Sequence, residues 1–448
     1  MPVTESPTTS AALATLRDVR QVECVFPDVN GFPRGKIMRA ADFAVGKELR
    51  IAEAILLQTI TGGYPDDAIC GETDQDTRLI PDLATLRQLP WAPSRAWVIH
   101  DCIGFDGRPS EFAARNVLRQ VLLRYRERGW FPVVAPELEF YLFARDGQEA
   151  SGFSLPATRG GGREVMQSAF SVEAVNELEA FWRELQDALD RLGIATDTWL
   201  HEMGPSQFEI NLLHGDPLVM ADQAVLFKYA LREIAARHGL YAVFMAKPLT
   251  GQAGSSMHLH QSVVDAAGEN IFSAADGNAT PAFSWFIGGM QRYLPDLMPV
   301  FAPFVNSWRR YVHDSSAPIN MEWGDNNRTV ALRVPHSGPA ARRVENRLPG
   351  SDSNPYLAIA ASLACGLEGL TQRLAARAPI HADSGYSRPR EIPKSFESAL
   401  ERFHTSVDAR RMLGEVFIDA FCGVKEVELD HYMNEVAAWD RRYLTLQV

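Results

Sequence analysis

Apolar and polar residues alternate loosely from Val19 to Phe26 and then give way to "PDVNGFPRGK", in which Asn30-Gly31 is a hairpin-turn signal. The pattern predicts a strand with a tight return, followed by short strands and turns up to about Pro109. There the period changes. In "SEFAARNVLRQVLLRYRERGW" the residues Val117, Leu118, Val121, Leu122 and Tyr125 recur at helical spacing, with Ser110 as the N-cap and Gly129 beyond the last periodic position. This change of texture puts a boundary near residues 105–110. Further on, Val133–Phe143 reads as a strand, and Val172–Leu192 as one amphipathic helix capped by Ser171 and stopped by Gly193. Between them lies the long Gly-rich excursion "DGQEASGFSLPATRGGGRE", of a length uncommon in loops that are not functional or mobile.

At 448 residues the chain is large for a single core, so one very large domain or two unequal ones are expected. With 46% hydrophobic and 22% charged residues it reads as a globular enzyme. The formal charge of −12 disfavours nucleic acid as a partner and makes any basic cluster a local, anion-directed feature. Five scattered cysteines without a C-x-x-C pair suit a reducing compartment. "MPVTESPTTSAA" lacks the basic and apolar regions of a leader, and the apolar run "YLAIAASLACGL" is shorter than the roughly 20 residues of a membrane span. The expectation is a cytoplasmic protein with no membrane partner and a disordered stretch over residues 1–14.

Four groups of residues, in six segments, carry chemistry. "PELEFYLF" places Glu137, Glu139 and Tyr141 on one strand face and Leu138, Phe140 and Leu142 on the other. Adjacent carboxylates on an apolar strand repel each other and need cations nearby, although a solvated strand face would read the same way. "WLHEMGPSQFEINLLHG" carries Glu202 and Glu209 on either side of a Gly-Pro turn that can bring both to one centre, or leave them exposed on a hairpin. "GSSMHLHQS" puts His258 and His260 on one face. Arginines cluster in "NSWRR" (Arg309, Arg310), "NNRTVALRVP" (Arg328, Arg333) and "ARRVENRLPG" (Arg342, Arg343, Arg347). In the last of these, alternation sets Glu345 between Arg343 and Arg347, as in an exposed charge ladder or a built site. Oxygen-rich ligands with a little nitrogen and no sulphur fit Mg²⁺ or Mn²⁺ better than zinc. Divalent ions beside arginines suggest phosphoryl transfer, and no P-loop pattern is present.

These segments, with "RRVENRLPGSDSNPYLAIAA", occur in the order and approximate spacing of the glutamine synthetase superfamily, which the chain resembles from about residue 18 onward. The resemblance implies an α+β protein: a β-grasp domain over residues 15–108, a catalytic domain over 109–448 built round a curved antiparallel sheet, and homo-oligomeric stacked hexameric rings. It implies two or three Mg²⁺ or Mn²⁺ ions, one held by Glu139, Glu202 and Glu209 and another by Glu137, His258 and Glu345. It further implies that Arg310 and Arg347, beside Gly254, hold the carboxylates of glutamate and that Arg328 meets the phosphoryl group. His260, Ser262, Arg333 and Arg343 fall where the family contacts ATP. The implied reaction is phosphorylation of the γ-carboxylate of glutamate by ATP, followed by displacement of phosphate by an amine.

Three positions depart from the ammonia-using members. Ser316 stands where their flexible loop carries a Glu, with Asp314 two positions earlier; Thr59 or Ile60 stands at their second ammonium-binding acid; and Ala253 replaces an Asn. Ala340 likewise replaces a Lys that the family often carries near the ATP site. A pocket for NH₄⁺ needs fixed negative charge, so Ser316 is expected to mark a reshaped pocket for an organic amine, as in the γ-glutamylpolyamine and γ-glutamylmonoamine synthetases. The apolar "TITGGYP" stretch leans toward a monoamine over a spermine-like cation, while Tyr64, Asp66, Asp67, Trp308 and Tyr311 leave both open.

Overall fold

The computed structural model describes residues 16–66, 69, 71, 73–145, 154–164 and 167–446. The expected disordered stretch 1–14, Asp67, Cys70 and part of the Gly-rich excursion lie outside them. Two sheets organise the chain. The first contains β1 (Gln21–Pro27), β2 (Pro33–Arg39), β3 (Leu49–Ala52), β4 (Asp76–Pro81), β5 (Arg87–Leu89) and β6 (Ala92–Ile103), ordered β2-β1-β6-β4-β3 with β5 paired to β6. β1 runs parallel to β6 and every other pair is antiparallel, which accords with a grasp-type sheet. The Asn30-Gly31 signal closes the β1–β2 hairpin: Gly31 sits at φ +76, and Asp28 Oδ1 accepts the backbone N–H groups of Asn30 and Phe32.

The second sheet is curled and eight-stranded. It is built from β7 (Phe131–Ala144), β8 (Thr196–His201), β9 (Gln207–Leu212), β10 (Leu240–Val243), β11 (Met257–Val264), β12 (Trp323–Asp325), β13 (Leu332–Val334) and β14 (Val344–Asn346). The order is β12-β13-β14-β11-β7-β9-β8, with β10 also on β7. The expected antiparallel character fails at one edge, where β12 and β13 run parallel because the chain returns through the 326–331 turn before pairing.

Helices pack on this sheet and on one another: α1 (Ala114–Arg126), α2 (Glu179–Leu192), α3 (Pro217–Arg237), α4 (Pro281–Tyr293), α5 (Pro355–Gln372), α6 (Phe396–Thr405) and α7 (Glu415–Met433). Leu138, Phe140 and Leu142 of β7 share one core with Val117 and Leu118 of α1, Phe181 and Leu185 of α2, and Phe227 of α3. Each such side chain contributes about 1.5–3 kcal/mol of burial, which fixes the register of β7 and commits its other face to the acids. Two helix boundaries differ from the sequence pattern. α1 starts at Ala114, and the Ser110 hydroxyl bonds Glu53 Oε1 at 2.5 Å instead of capping the helix. The Val172–Leu192 segment is two helices, Val172–Asn176 capped by Ser171 and then α2 ended by left-handed Gly193. The ladder breaks because the Val175 carbonyl accepts from the Trp182 indole at 2.8 Å and from Leu178 N at 3.2 Å.

Arg115 of α1 ties the two sheets together. Its buried guanidinium donates to Asp82 and Asp101 of the first section and, at 2.9 and 2.7 Å, to both oxygens of Asp222 on α3, which Tyr356 also meets at 2.5 Å. Among the described residues no helix is long and apolar enough to cross a membrane.

Candidate active site

Register alone assembles the acidic cluster. Glu139 on β7 lies opposite Glu209 on β9, and Glu137 lies opposite His258 on β11. His260, two residues along β11, reaches the same face, and Ser262 lies beyond it, half-buried. Glu202 follows β8 and is carried back by a turn in which Glu202 N donates to Gln207 O at 2.8 Å and Ser206 sits at φ +55. Glu345 enters from β14, whose partner strands are β11 and β13.

Three ligand-bearing groups result: Glu139–Glu202–Glu209, Glu137–Glu209–His258 and Glu137–His260–Glu345, the atoms of each lying within 4.8 Å of one another. The first expected set is one of these groups, whereas the second, Glu137, His258 and Glu345, is divided between the other two, which share Glu137; Glu209 reaches both halves. His258 Nδ1 stands 3.4 Å from Glu137 and 3.6 Å from Glu345.

The two halves differ electrostatically. Burial, then Glu139, Glu137 and Glu202, push Glu209 up to about 10; burial, then Glu202, push Glu139 up to about 7. Burial also raises Glu202, against the opposing charges of Arg328 and Arg347. In the other half burial is outweighed. The imidazoles of His258 and His260 hold Glu137 far below the carboxylate range, and Arg347, His258 and His260 draw Glu345 down to about 2. Burial and the charge of Arg347 depress His258 to about 4. Buried Glu139 and Glu209 and half-buried Glu202, which form no ion pair among the described residues, stand beside imidazole and make a donor set suited to a hard divalent cation. Neither Ser256 nor Gln207 was singled out among the sequence-predicted site residues, although both lie inside the quoted blocks. Ser256 gives Glu139 its N–H at 2.8 Å and its hydroxyl at 2.6 Å, and Gln207 Nε2 adds a contact at 3.4 Å.

The arginines sort by partner. Glu345 is held between Arg347 at 2.5 Å and Arg333 of β13 at 2.6 Å. Arg343, expected beside Glu345 from alternation, instead donates to His260 Nδ1 at 3.1 Å while His260 Nε2 meets Glu137 at 2.7 Å, so both ring nitrogens are engaged. Arg333 is closer than its sequence distance suggested because β13 pairs with β14. Arg310 is buried and donates to the carbonyls of Leu348 at 3.1 Å and Arg347 at 3.0 Å, with Tyr311 Oη at 3.5 Å, which leaves two N–H groups uncommitted among the described residues. Its stem lies against Gly254, where any Cβ would come within 2.5 Å of Arg310 Cγ. Arg309 turns away, to Tyr432 Oη at 2.8 Å. Arg328 is exposed at the rim, where its charge is felt by Glu202.

The departures from the ammonia-using pattern occupy two loops. Ser316 is exposed at φ +62, and Asp314, at φ +58, is exposed and 2.8 Å from His313. Thr59 is buried, with its hydroxyl accepting from Gly63 N, while Ile60 is exposed. None of these positions offers a buried acid. The sequence pattern also missed Glu164, whose Oε2 receives Ser206 N at 2.7 Å and meets His201 Nε2 at 3.1 Å, anchoring the Gly-rich excursion to the Glu202 turn.

A curled sheet that gathers buried carboxylates and imidazoles on one face and rings them with arginines defines an enzyme that handles anions with divalent cations. The chain belongs to the glutamine synthetase family: residues 111–444 match "Glutamine synthetase, catalytic domain". It is 33% identical over 419 residues to gamma-glutamylputrescine synthetase PuuA of Escherichia coli K12, covering 92% of this chain and 89% of that one. It is 34% identical over 395 residues to glutamate–isopropylamine ligase of a Pseudomonas species, covering 86% and 82%. The solved structure described as apo GmaS without ligand superposes with a TM-score of 0.84 at 30% identity, covering 98% of this chain and 99% of that one.

Proposed function

We propose that this chain is an ATP-dependent ligase joining the γ-carboxylate of L-glutamate to an organic amine through a γ-glutamyl phosphate. The observation that carries the reading is the pairing of a buried acid cluster ringed by arginines with loops that place no buried acid at Ser316, Thr59 or Ile60. The relatives named for putrescine and isopropylamine support it.

In this reading Glu139, Glu202 and Glu209 hold one Mg²⁺ or Mn²⁺, and Glu137, Glu345 and His258 hold another, with His260 within reach of the second. The ions, when bound, supply positive charge to the phosphoryl group in transfer. Arg347 and the two uncommitted N–H groups of Arg310 bind the carboxylates of glutamate, with Gly254 leaving room for the Arg310 stem. Arg328 reaches from the rim to the moving phosphoryl group. Arg333, Arg343, His260 and Ser262 line the nucleotide side. The amine then attacks the acyl phosphate carbon at a pocket bordered by Ser316: the C–N bond forms, the C–O bond to phosphate breaks, and an amine proton leaves with the phosphate. The exposed Asp314, turned to His313, offers ammonium no fixed buried charge.

The same reading includes a β-grasp domain over 15–108, a catalytic domain over 109–448 and assembly into stacked hexameric rings, which sedimentation tests. The buried free thiols of Cys24, Cys102, Cys365 and Cys422 support a cytoplasmic location. The functional test is phosphate release from ATP with glutamate, Mg²⁺ and a panel of ammonium, ethylamine, isopropylamine, ethanolamine, phenethylamine, putrescine and spermine. Strong release with an organic amine and little with ammonium is expected; comparable release with ammonium makes the chain a divergent glutamine synthetase.

A further inference from the structure

The segment from Val312 to Ser316 leaves the 3₁₀ turn Val305–Arg310 and carries two non-glycine residues in the left-handed region, Asp314 at φ +58 and Ser316 at φ +62. Side chains pay a steric penalty there, so neighbouring groups must hold this conformation. Inside the segment, the Ser315 hydroxyl lies 2.8 Å from the Arg310 carbonyl and 2.7 Å from that of Val312. From outside, one stretch grips both ends. Arg390 donates through both terminal nitrogens to the Tyr311 carbonyl at 3.0 Å, and Tyr386 Oη donates to the Ala317 carbonyl at 2.9 Å. The Tyr386 ring also packs on His313 with centroids 4.9 Å apart.

Tyr386 is itself fixed to the other side of the site. It sits on the turn Gly385–Ser387, capped by Ser384, and Gly385 N donates to Thr329 Oγ1 at 2.7 Å. Any side chain at Gly385 would come within 2.4 Å of the Thr329 carbonyl. Thr329 follows Arg328, and the Tyr386 phenol feels the charge of Arg347. One tyrosine therefore links the loop that carries Ser316 to the turn that carries Arg328.

We infer that Tyr386 is a positioning residue that holds the Val312–Ser316 loop closed beside the reacting carbon, so that amine and not water reaches the γ-glutamyl phosphate. This rests on the ligase reading above. With the loop held, the amine forms the C–N bond, phosphate leaves and takes the amine proton. With the loop released, water forms a C–O bond instead, and the products are glutamate and phosphate at the same ATP cost.

The test measures amide formed per ATP consumed, together with the KM values for amine, glutamate and ATP, in the full-length enzyme and in Tyr386→Phe and Tyr386→Leu. Tyr386→Phe keeps the ring on His313 and removes only the tether. A drop of about fivefold to tenfold in amide per ATP is expected, the scale of one lost hydrogen bond, with a raised KM for amine and a KM for ATP unchanged within about twofold. An unchanged amide-to-ATP ratio in both variants, or equal losses in all three substrate parameters, overturns this inference alone. A wild-type enzyme that forms no amide with any amine overturns the ligase reading and takes this inference with it.

Discussion

Glu139 and Glu209 stand directly opposite each other across β7 and β9, both buried, and among the described residues neither forms an ion pair. Cross-strand like charges destabilise a sheet, so this pair is tolerable only with a cation between them or a proton on one of them. Thermal denaturation should therefore show a clear rise in Tm when Mg²⁺ or Mn²⁺ is added, corresponding to about 2.7 kcal/mol at a hundredfold excess over Kd. Glu209→Gln removes a proposed ligand and the repulsion together: its metal-free Tm should equal or exceed the wild-type value, its metal-induced rise should shrink, and ligase activity should fall at least about a hundredfold. An undiminished rise in that variant counts against Glu209 as a ligand.

Ser316→Glu tests the acceptor pocket from the opposite direction. A carboxylate there restores local attraction for ammonium and fills the space an organic substituent needs. The ratio of kcat/KM for ammonium to that for the preferred amine should rise at least about tenfold, equivalent to about 1.4 kcal/mol. No change in the ratio would remove Ser316 from the pocket.

Arg115 spans the two sheets with Asp82, Asp101 and Asp222 around it. Arg115→Ala leaves Asp222 buried without its cation, a loss of about 3–5 kcal/mol, readable as a lower urea midpoint. A shift below about 1 kcal/mol would mean that the junction does not depend on this network.

Burial depresses His100 to about 4, with a backbone carbonyl, Val98 O, 3.3 Å from Nδ1. The folded protein thus binds fewer protons than the unfolded chain between the ordinary histidine value and about 4. Stability from this group is complete above about pH 6.5 and is lost as pH falls toward 4, by about 3 kcal/mol in total. His100→Gln should flatten the Tm profile over that window, and an equally steep profile in the variant would exonerate His100.

Much of the site was legible because it is built on strand alternation and ordered blocks. Glu137 and Glu139 share a face because Leu138 and Phe140 must enter the core, and His258 joins them through an antiparallel register that sequence order only suggests. What pattern could not supply were partners set by pairing. Arg333 displaces Arg343 at Glu345 because β13 lies beside β14, and Arg310 faces backbone carbonyls that no side-chain pattern reveals. The α2 break at Leu178 was hidden for a similar reason: an indole N–H takes the carbonyl that the helix would have used.

A competition between acceptors separates an amine ligase from a glutamine synthetase. The enzyme is given ATP, glutamate, Mg²⁺ and equal concentrations of ammonium and the best organic amine of the panel, and both products are quantified by mass spectrometry. γ-Glutamyl amide of the organic amine should form in at least about tenfold excess over glutamine, a difference of about 1.4 kcal/mol. Glutamine as the main product would contradict it.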